Sequence, residues 1–253
     1  MPQGKVALAL YTVRDEIAKD YIGTLKKVAE IGYPGVQLSG GGDLSAKELK
    51  QALDDFGLEP AGAHLSLDKL ETELDSILEF QQTIGNNYII CPWIPENRRG
   101  NADAWKKMAA IFNAIGAKCK TQGITFGFHN HSYEFVTYDG KYALDIFFES
   151  CDPNLVLTEI DVYWVQHGGA NPAAYIRKYA NRCQLMHLKD MANDDKRSFA
   201  EVGSGILDWD DILAACKQAN TKWYIVEQDI CQRPVFESIK MSYEYLKKKG
   251  IAR

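Results

Sequence analysis

The stretch GITFGFHNHSYEF, residues 123–135, determines how the rest of the chain is interpreted. Its first half alternates apolar with small or polar residues, and this period of two is typical of a β-strand. Its second half carries three titratable side chains: His129, His131 and Glu134. Imidazoles and carboxylates at the end of an apolar strand need partners or a bound group, because burying them alone is costly. The stretch therefore predicts a strand that delivers polar side chains to a binding site.

Short apolar runs with strand character recur along the chain at a spacing of about 30 residues, the repeat of a parallel sheet with crossover helices. The predicted strands are residues 6–10, 35–38, 59–63, 88–91, 124–129, 155–160, 184–187 and 223–226. Amphipathic helical patterns lie between them, and the longest are residues 15–31, 68–84 and 102–122. Eight such units without a long linker predict an α/β protein, a single (β/α)8 TIM-barrel domain over residues 1–253.

An open, doubly wound sheet is the alternative architecture. Its usual nucleotide-binding signature is missing, because the first strand-to-helix turn, LYTVRDE, contains neither G-x-G-x-x-G nor a Walker sequence. The closed barrel is therefore the favoured prediction.

Composition argues against a membrane-spanning, a nucleic-acid-binding and a disulfide-rich protein. Of 253 residues, 46% are hydrophobic and 25% charged, and no apolar run approaches the roughly 20 residues of a membrane span. A net charge of -5 opposes a nucleic-acid partner held by a basic surface. Six cysteines without a C-x-x-C pair indicate thiols rather than a disulfide framework, and no signal peptide is visible. We therefore expect a cytoplasmic protein, although a removed signal peptide would leave the same sequence, and a homo-oligomer stays open.

In a barrel, reactive side chains belong at the carboxyl ends of the strands. Nearly every predicted strand here ends in such residues, which are Tyr11, Arg14, Gln37, His64, Cys91, Trp93, His129, His131, Glu134, Asp161, Tyr163, Trp164, His187, Lys189, Asp190, Glu227 and Asp229. Asp161, His187 and Glu227 with an acid or imidazole from strand five suit a divalent cation such as Mn2+, Mg2+, Co2+ or Zn2+. A metal-free polar pocket is the alternative, with a structural His64 and with Asp190 capping a loop.

Several segments from the first strand to the last point to one family. They are LALYTVRDE, GYPGVQLSG, AGAHLSL, YIICPW, GFHNHSYEF, EIDVYWVQHGG, MHLKDM, EVGSGILDW and YIVEQD. In these motifs the chain resembles the sugar phosphate isomerase/epimerase family of xylose isomerase-like TIM barrels. The resemblance implies a divalent metal held by a Glu, an Asp, a His and a second Glu from strands five to eight. Asp161, His187 and Glu227 match the Asp, the His and the second Glu.

Strand five departs from the family pattern. His129 stands where such epimerases often have the first glutamate, so the fourth metal ligand is predicted to be Glu134, with His129 and Glu159 as alternatives. Trp164 stands where those epimerases often place a second histidine, which argues against a close match to that subgroup.

The leading hypothesis is a metal-dependent sugar isomerase or epimerase. A base removes the proton next to a carbonyl and gives a metal-stabilised enediolate. Glu227 is the predicted base, with His129 or Glu134 on the opposite face, and Lys189 steadies the developing oxyanion. The small-molecule sugar or polyol would be held by two hydroxyl-binding imidazoles and three aromatic walls, which are His64, His131, Tyr11, Trp93 and Trp164.

Three other functions stay open. A lyase or dehydratase acting on a keto-sugar or keto-inositol is favoured by the histidine-rich HNH strand end. A sugar-binding barrel without turnover is favoured by the missing strand-five glutamate, whereas an endonuclease-like role is opposed by the acidic net charge. Gly203-Ser204-Gly205 is either a phosphate cradle of backbone N–H groups or a plain loop turn.

Overall fold

Eight parallel strands close into a barrel in the computed structural model of the chain, which describes residues 4–40 and 42–252. The strands are β1 (Lys5–Ala9), β2 (Gly35–Ser39), β3 (Glu59–His64), β4 (Tyr88–Cys91), β5 (Thr125–His129), β6 (Val156–Asp161), β7 (Leu185–Leu188) and β8 (Trp223–Val226). Each strand pairs with its neighbour in sequence, and β1 closes the barrel against β8 with Val6 opposite Tyr224. The predicted (β/α)8 architecture is confirmed.

Helices cover the outside of the barrel. They are α1 (Arg14–Ile17), α2 (Tyr21–Ile31), α3 (Ala46–Phe56), α4 (Leu67–Thr72), α5 (Leu74–Ile84), α6 (Ala102–Thr121), α7 (Ala143–Ser150), α8 (Val162–His167), α9 (Pro172–Lys178), α10 (Trp209–Gln218) and α11 (Val235–Lys248). Capping side chains start several of these helices, and Ser45 forms a reciprocal capping box with Glu48.

Two predicted helices are each split in the structure. The run over residues 15–31 breaks because the Asp20 carboxylate accepts the Gly23 N–H at 2.8 Å and starts a new helix there. The run over residues 68–84 breaks at Glu73, which ends α4 and precedes α5. The predicted single helices were therefore wrong in continuity, although their positions were right.

The barrel interior changes character along the strand direction. A small apolar cluster drawn from strand residues fills its lower part, and Trp223 there lies so close to Gly35 that a Cβ on Gly35 would meet the indole at 2.7 Å. Inward positions on a strand recur every second residue, so β6 presents Leu157, then Glu159, then Asp161 toward its carboxyl end. The interior therefore passes from apolar to ionisable at the upper end.

Two short hairpins extend the loops at the carboxyl end of the barrel. One pairs Thr137–Tyr138 with Lys141–Tyr142, and the other pairs Asp190–Met191 with Phe199–Ala200. In the described part of the chain, no helix has the length and apolar character required to cross a membrane.

Candidate metal centre

Four side chains from the ends of strands β5 to β8 meet at the barrel mouth. This rim cluster consists of His129, Asp161, His187 and Glu227, whose ligand atoms all lie within 4.8 Å of one another. All four are buried. The strands bring them together because His187 is paired with Asp161 on β6 and with Ile225 on β8, two residues before Glu227. Residues separated by as many as 98 positions thus share one small volume.

A second group of ionisable side chains lies against the first and shares two of its histidines. This inner cluster consists of His64, His129, Glu159 and His187. Glu159 Oε1 lies 2.6 Å from His64 Nε2, 3.1 Å from His187 Nε2 and 3.3 Å from His129 Nδ1. Its other oxygen accepts a hydrogen bond from Gln37 Nε2 at 2.5 Å. Every polar atom of the Glu159 carboxylate therefore has protein partners.

Lys189 balances part of the negative charge at the mouth. Its Nζ lies 3.0 Å from Asp161 Oδ2, 2.7 Å from Glu227 Oε2 and 2.6 Å from Asp229 Oδ2. Burial alone would lower the pKa of Lys189, but Asp161, Glu227 and Asp229 together hold this pKa well above its usual range. The ammonium therefore stays charged.

The acids and imidazoles of the rim cluster differ in protonation. Burial would raise the pKa of Glu227, yet Lys189 and His187 hold it well below its usual range, so this carboxylate is ionised. Burial raises the pKa of Asp161 to about 6, an effect that Lys189 partly offsets. Burial lowers the pKa of His129 to about 3, which keeps that imidazole neutral.

The donor atoms fit a divalent cation. Two carboxylates and two imidazoles form the mixed oxygen and nitrogen set that Zn2+, Mn2+ and Co2+ accept. Asp161 Oδ2 is buried and finds no hydrogen-bond partner among the described residues, since Lys189 approaches it at 3.0 Å without hydrogen-bond geometry. A buried carboxylate oxygen that accepts no hydrogen bond keeps lone pairs that a cation would occupy.

The predicted ligand Glu134 lies apart from the rim cluster. It follows β5 in a 3-10 turn, Tyr133–Phe135, and its Oε2 accepts the backbone N–H of His131 at 2.9 Å. Its Oε1 is buried without a hydrogen-bond partner among the described residues, and burial raises the pKa of Glu134 to about 8. The structure brings His129 into the cluster and leaves Glu134 outside it, so the metal-binding and catalytic roles of Glu134 stay predictions.

Aromatic side chains line one side of the mouth. The His131 ring lies 5.6 Å from the Trp93 ring and 5.4 Å from the Trp164 ring, between centroids. Lys189 Nζ lies 5.3 Å from the centre of the Trp164 ring, which links this wall to the rim cluster. Burial lowers the pKa of His131 to about 2, so its imidazole is neutral. Tyr11, 42% exposed, lies at the end of β1 with the Arg14 guanidinium over its ring.

The loop after β7 is closed by its own acid. Asp190 Oδ2 accepts the backbone N–H groups of Gly203 and Gly205 at 2.9 and 3.0 Å and the Trp209 indole N–H at 2.6 Å. The N–H of Ser204 donates to the carbonyl of Glu201. The three N–H groups of the sequence-predicted phosphate cradle are therefore taken by the chain itself, and the plain loop turn is confirmed.

Comparison with known proteins identifies the family. A family model described as xylose isomerase-like TIM barrel matches residues 25–249. The chain belongs to this xylose isomerase-like TIM barrel family. An inosose dehydratase of Geobacillus kaustophilus (strain HTA426) is 25% identical over 273 residues, covering 92% of this chain and 87% of that protein. A second inosose dehydratase, from Clostridium beijerinckii, is 24% identical over 89% of this chain and 88% of its own length.

A similar crystal structure carries another activity in its name. It is a sugar phosphate isomerase/epimerase from Parabacteroides distasonis ATCC 8503, 27% identical to this chain, with a TM-score of 0.85. The match covers 99% of this chain and 96% of that chain. The expected resemblance to xylose isomerase-like isomerases and epimerases is confirmed, and relatives with two kinds of reaction are similar to this chain.

Within this family barrel, two supporting residues carried no predicted role. Asn130, between the two histidines of HNH, accepts the backbone N–H of Asp161 at 3.0 Å and so fixes the end of β6 against the end of β5. Asp229 contacts Lys189, two residues after Glu227 on the same side of the strand end. The sequence offered only position as a signal, because a strand-end amide or acid looks the same whether it binds a substrate or another side chain.

Proposed function

We propose that the chain is a divalent-metal-dependent lyase that eliminates water from a keto-sugar or keto-inositol. The hydroxyl that leaves is on the β-carbon, the second carbon from the carbonyl carbon. The observation that carries this proposal is the position of Glu134 outside the rim cluster. Epimerisation with two glutamates needs a carboxylate on each face of the substrate, and the rim cluster offers only Glu227 in that role. Elimination needs one base and a proton for the leaving group.

The proposed metal ligands are His129, Asp161, His187 and Glu227, so His129 takes the place predicted for Glu134. When bound there, a divalent cation would polarise the substrate carbonyl and stabilise negative charge on its oxygen. Lys189 is charged, and its Nζ lies 2.7 Å from Glu227 Oε2. It would add a fixed positive charge near the substrate carbonyl oxygen.

The reaction balances with side chains of this site. The ionised carboxylate of Glu227 removes the proton from the carbon next to the carbonyl, and the C–H electron pair forms the C=C bond of an enediolate. As the carbonyl re-forms, the electron pair returns and expels the hydroxyl on the following carbon. Glu227, now protonated, returns its proton to the departing hydroxyl, which leaves as water, and the product is an enone.

The predicted substrate residues take positions that suit a polar ring. We propose that Trp93, 45% exposed at the mouth, and Trp164 provide apolar faces, with Tyr11 opposite across the barrel opening. His131 lies between the two indoles and has a buried Nδ1 without a hydrogen-bond partner among the described residues, so it is assigned to a substrate hydroxyl. His64 Nε2 lies 2.6 Å from Glu159 Oε1, and we assign its Nδ1 to a second substrate hydroxyl.

The test is turnover in deuterated water. The purified chain, loaded in turn with Mn2+, Co2+ or Zn2+, is incubated with a keto-inositol and with ketoses, and products are followed by ultraviolet absorbance and mass spectrometry. We expect an enone with loss of water, abolished in Glu227→Gln. Glu201→Gln is the matched control, because Glu201 is also a buried acid but is held by Ser238 and Arg233 outside the cluster. Absence of enone with every metal and substrate would refute elimination.

Isomerisation or epimerisation is the second candidate. It is favoured by the named activity of the Parabacteroides distasonis structure, and it shares the first proton abstraction by Glu227. His129 or Glu134 would then return the proton on the opposite face. Solvent deuterium in recovered sugar, without enone, would support this candidate over elimination.

A further inference from the structure

We propose that Glu159 is a positioning residue that fixes the tautomers of His129 and His187, so that each presents an unprotonated nitrogen to the rim cluster. This inference rests on the metal site of the proposed function and goes beyond it, because Glu159 itself would not touch the cation. It also assigns the inner cluster as hydrogen-bonding support rather than as a second metal site.

The two nitrogens of His187 face two different carboxylates. Its Nδ1 lies 3.1 Å from Glu227 Oε2 in the rim cluster, whereas its Nε2 lies 3.1 Å from Glu159 Oε1. A neutral imidazole carries one N–H and one lone pair. If the N–H is on Nε2, where Gln37 Oε1 and Glu159 Oε1 both lie, the lone pair is on Nδ1, 3.1 Å from Glu227 Oε2 in the rim cluster. Gln37 reinforces this choice, since its Oε1 is an acceptor 2.7 Å from the same Nε2.

His129 faces the same carboxylate oxygen through its Nδ1. This nitrogen lies 3.3 Å from Glu159 Oε1 and has no hydrogen-bond partner among the described residues, so a proton placed on Nδ1 toward that oxygen leaves the lone pair on Nε2. Carboxylates that accept the outer N–H of a ligating histidine orient the ring and raise the basicity of the coordinating nitrogen. One oxygen of Glu159 would thus act on both imidazole ligands at once.

The alternative of a cation in each cluster conflicts with the shared histidines. Both clusters contain His129 and His187, so filling both sites would require each imidazole to lose both of its ring protons. Both oxygens of Glu159 are also already occupied by protein groups, because His64 Nε2 lies 2.6 Å from Oε1 and Gln37 Nε2 donates to Oε2. A cation in the inner cluster would have to displace these partners, whereas Asp161 Oδ2 in the rim cluster accepts no hydrogen bond from the described residues.

Sequence position explains why one residue can serve both ligands. Glu159 is two residues before Asp161 on β6 and therefore points to the same interior, one layer below. At this level it is paired with His129 on β5 across the strand ladder. The barrel thus places a supporting carboxylate directly beneath the proposed cation.

The test measures metal binding rather than turnover. Metal-free wild type and Glu159→Gln are titrated with Co2+ and followed by calorimetry and by the visible absorption bands of the bound ion. We expect one Co2+ per chain in both proteins, with affinity about 10- to 100-fold weaker in Glu159→Gln. Asp145→Asn is the matched control, because Asp145 is a buried carboxylate held by two tyrosine hydroxyls, and its affinity should equal wild type.

A second readout addresses the tautomers directly. Long-range 15N–1H correlation spectra of the Zn2+-loaded protein should show His187 protonated on Nε2 and His129 protonated on Nδ1. In Glu159→Gln the two histidines should lose this fixed pattern. If that variant does not fold, Glu159→Asp retains the charge on a shorter side chain, and its Co2+ affinity should fall about tenfold.

The outcomes separate this inference from the proposed function. Equal Co2+ affinity in Glu159→Gln and wild type, two Co2+ ions per wild-type chain, or the opposite tautomers would each overturn the role of Glu159 while leaving the lyase proposal standing. Failure of wild type to bind Co2+, Mn2+ or Zn2+ would overturn both. Metal binding with the expected loss in Glu159→Gln, but no enone, would support the positioning role and refute only elimination.

Discussion

Replacement of Glu134 by glutamine should stabilise the protein at alkaline pH. Burial raises the pKa of Glu134 to about 8 from an ordinary 4.5. Between these values the folded chain holds a proton that the unfolded chain has lost, so stability falls as pH rises through this window. Each pKa unit corresponds to about 1.4 kcal/mol. Because one of the two states is half-titrated at each end of the window, stability falls by about 4 kcal/mol between pH 4.5 and pH 8 from this one group. Glutamine is never ionised and does not contribute this loss.

The assay is urea unfolding of the metal-free wild type and Glu134→Gln at pH 5, 6.5 and 8. The variant keeps an amide oxygen to accept the His131 N–H, so the two proteins should be similar at pH 5. Their difference should grow in favour of the variant by several kcal/mol at pH 8. Glu30→Gln is the control for removal of one carboxylate, because that side chain is 63% exposed on α2. A flat difference for Glu134→Gln would refute the burial argument, and a large loss of Co2+ affinity would restore Glu134 as a ligand.

Three further outcomes follow from the site. Burial opposes protonation of His187, but Glu159 and Glu227 raise its pKa to about 10, so a cation must displace its proton. Co2+ affinity should therefore rise about tenfold per pH unit from pH 7 to 9. The released proton is measurable by calorimetry in buffers of different ionisation enthalpy. Asp190→Asn should cost about 2 to 4 kcal/mol in urea unfolding and expose the 203–207 loop to proteolysis, because a carboxylate that accepts several N–H groups is lost. Trp93→Ala should raise KM about tenfold with kcat little changed, and Trp93→Phe should not, if the indole is an apolar wall.

The strand ends were predictable because two rules act locally. Short apolar runs placed every barrel strand within one residue at each end, and the rule that barrel chemistry lies at the carboxyl ends selected Asp161, His187 and Glu227. The structure brings these three together with Lys189. Helix positions were also predictable from apolar periodicity, whereas the breaks were not. At Asp20 a capping side chain restarts the helix, and at Glu73 the backbone leaves helical geometry (φ -127°, ψ 21°) without a side-chain cap, and neither change disturbs the periodic pattern.

The choice between Glu134 and His129 could not be predicted from spacing. Both follow the same strand, and which one enters the cluster depends on a single 3-10 turn in which the Glu134 carboxylate accepts the His131 N–H. The contacts of Glu159 were equally hidden, since they join four strands that are distant in sequence. Local sequence carries strand identity and facing direction, but the pairing of side chains across the interior depends on barrel register.

The carboxylates at the barrel mouth fall into two groups, one compensated by Lys189 and one that a bound cation would compensate. Four buried or partly buried carboxylates, Glu159, Asp161, Glu227 and Asp229, meet one ammonium, Lys189, and two of the three neighbouring imidazoles carry no charge once a cation is bound. Lys189 approaches Asp161, Glu227 and Asp229, whereas Glu159 is surrounded by three imidazoles and the amide of Gln37. A divalent cation in the rim cluster would reach both imidazoles that Glu159 supports, and so would compensate that carboxylate through them. Lys189 therefore pairs with the outer acids, and a bound cation would offset the inner one.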